Sequence, residues 1–424
     1  MAHSIKHLFR SPLLRNASQL LTANVVAQAV ALAVYPLLTR LYTADDFGVF
    51  NIFLTIGGIL VLLATMQYEY AVVLPRSHRQ GAWVAQAGLA ATAAVVAATA
   101  ASIPFASGIE HLLDADGLAR LWWLMPLYVA VMASWALCNF WLLRHDRFDR
   151  AASYQVDQSL LNATTKAVAG KMSIGGGLIY GSVLAPALAL SITLLRTPRA
   201  LWRKLCRIEW RGMRAAAHRY RNFPRFTLPK ALTDSLASNL PLLLLAPAFD
   251  LATVGFVGMA FTLAHRPINI ICSSVNKALY QQAAQHVQCR KPIRHSIARY
   301  AVGILLIAMP LFALLYFALP WLCSWMLGAP WAATADYIRL MLPWLLMVLV
   351  SNGINFIPDL FDRQRGLFLF SLARLVLQAA ALAIGISLHS PLLAMGLFFA
   401  VAAMLLVAQT VWFFALIKNY EQRL

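Results

Sequence analysis

The sequence predicts an all-α polytopic membrane protein of about twelve transmembrane helices arranged as two six-helix bundles. Hydrophobic residues make up 61% of the 424-residue chain, charged residues 12%, and the mean hydropathy is +0.67. That balance suits lipid rather than water as the solvent. The apolar runs are far longer than the roughly 10 residues of a barrel strand, and a backbone in hydrocarbon must satisfy its own hydrogen bonds. Each run is therefore expected to be a helix of about 20 residues. Nearly halfway along, the stretch Arg196–Arg225 interrupts the apolar chain with ten Lys or Arg and a single acid, Glu209.

Taken in order, spans are predicted at about 17–40, 47–68, 81–106, 121–143, 151–171 and 175–195, then at about 226–248, 251–275, 300–322, 337–358, 366–388 and 391–417. Residues before Arg15 carry Lys6 and Arg10 without a compact apolar run and small-residue cleavage site, and read as a cytoplasmic tail. The fifth span, with Tyr154, Gln155, Asp157, Asn162 and Lys166, is polar enough to escape a hydropathy window, so it is expected to face protein or water. Gly175-Gly176-Gly177 after it reads as a tight turn rather than a phosphate loop. The expected organisation is a first half at 1–195, a basic connector at 196–225 and a second half at 226–424. Leu201, Trp202, Leu205 and Ile208 allow the connector to lie as an amphipathic helix on an anionic leaflet; a solvated basic loop is the alternative.

Charge supports this layout. Most of the 35 Lys and Arg fall on one side: Lys6, Arg10, Arg15, Arg76, Arg79, Arg144, Arg147, Arg150, the connector, Lys277, Arg290, Lys291, Arg294, Arg299, Arg363, Arg365, Lys418 and Arg423. The opposite turns hold few bases but collect Asp45, Asp46, Glu110, Asp114, Asp116, Asp250 and Asp336. The positive-inside rule then predicts both termini in the cytoplasm. The net charge of +19 is accounted for by topology, and no nucleic-acid motif accompanies it.

Four bases remain inside spans: Lys166, Lys230, Arg266 and Arg374. At 1.5 Å per residue, Arg374 lies about 12 Å from the cytoplasmic end of its helix, Lys166 about 22 Å, and Arg266 about 22 Å from its outer end. Lys230 is shallow enough to snorkel. A central charge costs roughly 2.5–3.5 kcal/mol to insert, so such residues are expected to line a wet, functional interior. Helical spacing sets Lys166 with Gln155, Gln158, Ser159 and Asn162, Arg266 with Thr262, Asn269 and Ser273, Arg374 with Ser371 and Gln378, and Asp234 with Thr227, Lys230 and Ser238. A cationic cavity is the functional reading of these faces; structural ion pairs between helices, such as Lys230 or Arg374 with Asp234, are the alternative. Asp234, Asp157 and Glu69 are candidates for binding a coupling proton or cation, and no other cofactor is expected.

The turns at Leu41–Phe50 and Phe249–Val257 can be overlaid, each a short outer turn before a Gly-containing helix start. Two halves that start on the same side would be parallel repeats with substrate bound between them.

The segment Pro36-Leu-Leu-Thr-Arg40-Leu-Tyr-Thr-Ala-Asp45-Asp46-Phe-Gly48-Val-Phe, with Tyr68-Glu69-Tyr-Ala71, Leu74-Pro75, Tyr220-Arg-Asn-Phe-Pro224 and Gly255-Phe256, resembles the polysaccharide-transporter branch of the multidrug/oligosaccharidyl-lipid/polysaccharide (MOP) exporter superfamily, which includes the O-antigen flippases. The resemblance is specific over about 36–76 and 220–270. It implies a V-shaped, MATE-like pair of six-helix bundles that moves undecaprenyl-pyrophosphate-linked oligosaccharide to the periplasmic leaflet, with membrane lipids, a polysaccharide polymerase and chain-length machinery as partners. Arg40, Asp46, Gly48 and Glu69 match its motif positions, and helix-end anchoring and turn geometry account for them better than ligand contact does. Unlike lipid II flippases, this chain has no mid-membrane base in its first two spans, and unlike many drug exporters it has no acid at 17–39. A MATE-like small-molecule exporter and a polytopic polysaccharide polymerase or ligase are the alternatives. Such enzymes usually work from a large outer loop, whereas the outer loops here are short, HExxH, GxSxG and P-loop motifs are missing, and Cys138, Cys206, Cys272, Cys289 and Cys323 are scattered.

Overall fold

The computed structural model describes residues 12–207, 209–289, 292–361 and 363–422. Lys6, Arg10, Ile208, Arg290, Lys291 and Arg423 lie outside them, as do the side chains of Arg15, Cys206, Ser273 and Lys277. Every regular element among the described residues is helical. The first is α1 (Pro12–Leu41), followed by α2 (Ala44–Thr65), the short α3 (Tyr68–Ala71), α4 (His78–Ala101), α5 (Leu124–Arg144), α6 (Phe148–Lys171) and α7 (Gly177–Arg196). The basic connector forms α8 (Arg199–Cys206) and α9 (Trp210–Arg219). Beyond it come α10 (Leu228–Ala248), α11 (Leu251–Ala260), continued through a π turn at Phe261–His265 into α12 (Arg266–Gln288), then α13 (Arg294–Leu327), α14 (Thr334–Gly353), α15 (Gln364–Ser387) and α16 (Pro391–Glu421).

Counting α11–α12 as one run, the long helices number twelve among the described residues, and ten runs are long and apolar enough to cross a membrane. The two that fall short are α6, with the polar stripe, and α10, which carries Lys230, Asp234, Ser235, Ser238 and Asn239. Hydropathy misses them because it averages around the helix, whereas their polar side chains fall on one part of the circumference.

The chain divides into two compact units, Met1–Leu232 and Thr233–Leu424. In the first, α6 packs against α1 and α7, while α2, α4 and α5 pack together and meet α7. In the second, α14 packs against α11, α12, α13 and α16, and α16 also packs against α15. The pairings match by position: α6–α7 corresponds to α15–α16, α4–α5 to α13–α14, α5–α7 to α14–α16 and α2–α5 to α11–α14. The overlay read from sequence has a structural basis. Thr43 caps α2, its hydroxyl accepting from the Asp46 amide at 3.2 Å while Asp46 Oδ2 accepts from the Thr43 amide at 2.9 Å. Asp250 caps α11, accepting from the Thr253 amide at 2.8 Å. Each cap stands five residues before a buried glycine, Gly48 or Gly255, so both second helices of the repeats start in the same register.

Large apolar side chains of α13, among them Leu306, Ile307, Leu314 and Phe317, are exposed, as expected where hydrocarbon is the surrounding medium. Trp321 and Trp325 stack with centroids 5.9 Å apart near the far end of this helix. The connector packs with the first unit as two short helices against α4, burying Leu205, Gly212 and Ala216; a side chain at Gly212 would run into the Trp83 ring.

Candidate functional site

In the second unit, α10 and α15 bring Asp234 and Arg374 together, Arg374 Nη2 donating to Asp234 Oδ1 at 3.0 Å. Their side chains are 31% and 36% exposed for Arg374 and Asp234 respectively, so the protein encloses the pair only in part. The ion pair named as an alternative in the sequence reading therefore forms. It leaves polar capacity unspent: Arg374 Nε is buried without a hydrogen-bond partner, and one turn on, buried Gln378 has an unpartnered Oε1. A guanidinium offers five donors in a rigid fork, so the carboxylate does not exhaust it. On the π turn, His265 contacts the Trp344 ring at 4.8 Å and lies 3.1 Å from Asn269, while the neighbouring Arg266 is exposed.

In the first unit, the polar side chains of α6 are divided among several neighbours. Asp157 Oδ2 accepts from Arg196 Nη1 of α7 at 3.0 Å, and Ser159 donates to the Ala27 carbonyl of α1 at 2.6 Å. Lys166 is buried, its ammonium 4.3 Å from the centre of the Phe50 ring of α2, while its own carbonyl accepts from the Tyr42 hydroxyl at 2.8 Å. Burial, then the nearby Asp46 carboxylate, push the Tyr42 phenol up to about 12, so it stays a neutral donor there. Gln155 Oε1, Asn162 Oδ1 and the Tyr154 hydroxyl are buried with no hydrogen-bond partner. Lys230, near the start of α10, is half-buried.

At the motif positions, Arg40 is exposed at the end of α1, Asp46 closes the capping box and Gly48 is buried. Glu69 is different. Met66 and Gln67 adopt left-handed conformations, φ 49° and 61°, that break the helix after α2 and turn α3 inward. Non-glycine residues rarely adopt this region, and two in succession hold a sharp turn. Glu69 is thereby buried beside Tyr68, Ala71 and Val72; Gln67 Nε2 donates to its Oε1 at 3.4 Å, while Oε2 has no partner. Of the three candidate acids, Glu69 is the one that makes no ion pair among the described residues.

Desolvation pushes the Glu69 carboxyl above its usual 4.5. The folded state then holds a proton that the unfolded chain has released, so stability falls as pH rises from the ordinary carboxylate value through the elevated one. Glu69→Gln is expected to remove that fall. Melting temperatures in detergent from pH 4.5 to 8 should converge with wild type at the acid end and exceed it at about pH 8; a wild type that gains stability as pH rises would contradict the assignment.

Sequence reasoning missed Arg196 as the partner of Asp157, because it was counted with the connector. It also missed a clamp on the basic side: Glu209 Oε2 accepts from Arg79 Nη2 at 2.8 Å and from Trp83 Nε1 at 3.1 Å, and Gln86 Nε2 donates to the carbonyls of Leu205 at 3.0 Å and Arg207 at 2.7 Å. The signal was the lone acid among ten bases.

Among the described residues, twelve long helices, ten runs of them long and apolar enough to cross a membrane, define a polytopic membrane protein. The fold is that of the MOP superfamily: the structure is similar to an inward-facing multidrug resistance MATE transporter of that superfamily (TM-score 0.66, 14% identity, covering 95% of this chain and 96% of that one). It is also similar to the lipid II flippase MurJ in an inward closed conformation (TM-score 0.70, 10% identity, covering 96% and 90%). Residues 37–336 match the polysaccharide biosynthesis protein family, and the chain belongs to it. No curated protein matches the sequence. The resemblance read from the two motif regions, to the polysaccharide-transporter branch, thus holds.

Proposed function

We propose that this protein flips an oligosaccharide linked to undecaprenyl pyrophosphate from the cytoplasmic to the periplasmic leaflet of the bacterial inner membrane, for assembly into O-antigen, capsule or exopolysaccharide. The reading is carried by membership of a polysaccharide biosynthesis family over residues 37–336 on a transporter fold shared with a lipid II flippase. The polar head must cross a hydrocarbon core of about 30 Å, and basic side chains inside the helices lower that barrier. Arg374, with a guanidinium only partly engaged by Asp234, is the group assigned to the pyrophosphate, because a planar fork matches two phosphate oxygens. Lys166, Arg266 and Lys230 are assigned to the glycan path. Glu69 is assigned to the coupling proton, since Asp157 and Asp234 are already paired with arginines. The flipped unit would pass to a polysaccharide polymerase and its chain-length machinery.

Deleting the gene in its host is expected to trap single lipid-linked repeat units on the cytoplasmic leaflet, read by their inaccessibility to a glycosidase added outside spheroplasts. Accumulation of the same units in a glycosidase-sensitive, periplasm-facing form would reject flipping and point to a polymerase or ligase.

A further inference from the structure

On the basic side of the first unit, the start of α4 and the connector form an open cavity of about 440 Å³, lined by His78, Arg79, Trp83, Gln86, Arg207 and Glu209. Helix packing leaves two features of it unexplained. Gln86 is 5% exposed, and its amide nitrogen is committed to the Leu205 and Arg207 carbonyls. That orients the side chain and leaves Oε1 buried with no donor. An acceptor buried without a partner is destabilising, so a donor that a ligand brings to it as the cavity wall shifts is rewarded there. The second feature is charge. Glu209 is the one acid of the lining and is held by Arg79 and Trp83, while Arg207 is exposed and makes no ion pair among the described residues. Elsewhere on the two connector helices, Arg203, Arg211 and Arg214 are exposed, as is Trp210 at 65%. An exposed Trp among arginines on a membrane protein matches the composition of the headgroup layer, where the ring is half-solvated and anionic lipid attracts the bases.

One ligand must therefore supply an anion to Arg207 and a hydroxyl to Gln86. We propose that this cavity binds the headgroup of a lipid in the adjoining leaflet that combines a phosphate with free hydroxyls, the phosphate at Arg207 and His78 and a hydroxyl donated to Gln86 Oε1. Two lipids carry that chemistry: phosphatidylglycerol, and an isoprenoid pyrophosphate bearing a sugar. Phosphatidylcholine has no free hydroxyl and no net charge, and phosphatidic acid has the phosphate without the glycerol headgroup.

Native mass spectrometry of the full-length protein released from detergent, with each of the four lipids at equal concentration, tests this. Phosphatidylglycerol, undecaprenyl-pyrophosphoryl N-acetylglucosamine or both are expected to be retained about tenfold better than phosphatidylcholine and phosphatidic acid, a difference of about 1.4 kcal/mol. Preference for phosphatidylglycerol identifies a bulk-lipid site, and preference for the isoprenoid lipid identifies a landing site for a glycan carrier. Arg207→Gln and His78→Asn, neither of which removes a side chain that donates to Glu209 Oε2, should each reduce the preference several-fold. Equal retention of all four lipids, of phosphatidic acid and the best-retained hydroxyl-bearing lipid, or of that lipid by wild type and Arg207→Gln would overturn the assignment. The measurement involves no transport, so its failure leaves the flipping proposal standing, and loss of that proposal leaves this site standing.

Discussion

Arg374→Gln is expected to lower both the abundance and the export activity of the protein, whereas Arg374→Gln combined with Asp234→Asn is expected to restore abundance and leave export lost. The single change removes the guanidinium that faces the Asp234 carboxylate at 3.0 Å. Breaking a fully buried pair this way costs about 3–5 kcal/mol; with both side chains about a third exposed, about 1–3 kcal/mol is the scale here. Neutralising both partners removes that term, and the coupling between the two substitutions is read from the double-mutant cycle. Export is a separate readout, because the phosphate fork is missing in both variants. Arg374→Lys, which keeps the charge and loses the fork, should restore abundance with only part of the activity. Full export by the double variant would remove Arg374 from the substrate path and reduce it to an interhelical ion pair.

Gly385→Ala should destabilise the second unit even though Ala is the better helix former. Gly385 on α15 lies directly against Ala394 of α16, and a Cβ placed there would stand 2.7 Å from the Ala394 nitrogen and 2.7 Å from its Cβ. Backbone atoms cannot rotate away as a side chain would, so the α15–α16 hairpin must open, at an overpacking cost of about 1–3 kcal/mol or more. Gly303 on α13 is the control, since a Cβ there meets open space, and Gly303→Ala should be neutral or stabilising by up to about 1 kcal/mol. A detergent melting temperature that falls for Gly385→Ala and holds for Gly303→Ala confirms the close approach; equal melting temperatures would contradict it. Because α15 also carries Arg374, loss of the hairpin is expected to reduce export too.

Lys166 illustrates how far a stripe of polar residues can be read. Spacing placed Gln155, Gln158, Ser159, Asn162 and Lys166 on one face of a helix too polar for a hydropathy window, and α6 is such a helix. Spacing did not show that this face is shared out, with Ser159 bonded to α1 and Lys166 set over the Phe50 ring of α2, or that Asp157, off the stripe, pairs with Arg196 of α7. Periodicity reports direction around one helix axis; which neighbour occupies that direction depends on contacts far apart in sequence.

The sequence by itself determined the all-helical class, the long apolar runs, the break at the basic connector and the matching capped turns at Thr43 and Asp250. All of these follow from local terms: lipid demands internally bonded helices, charges avoid hydrocarbon, and a cap bonds an amide three residues away. Only the tertiary structure decided which charges meet. It paired Asp234 with Arg374 across 140 residues and Glu209 with Arg79 across 130, and it turned Glu69 inward through two left-handed residues with no glycine to mark them. Charge pairing is an exchange of desolvation for Coulomb attraction that is settled by distances of a few ångströms, and only the packed helices set those distances.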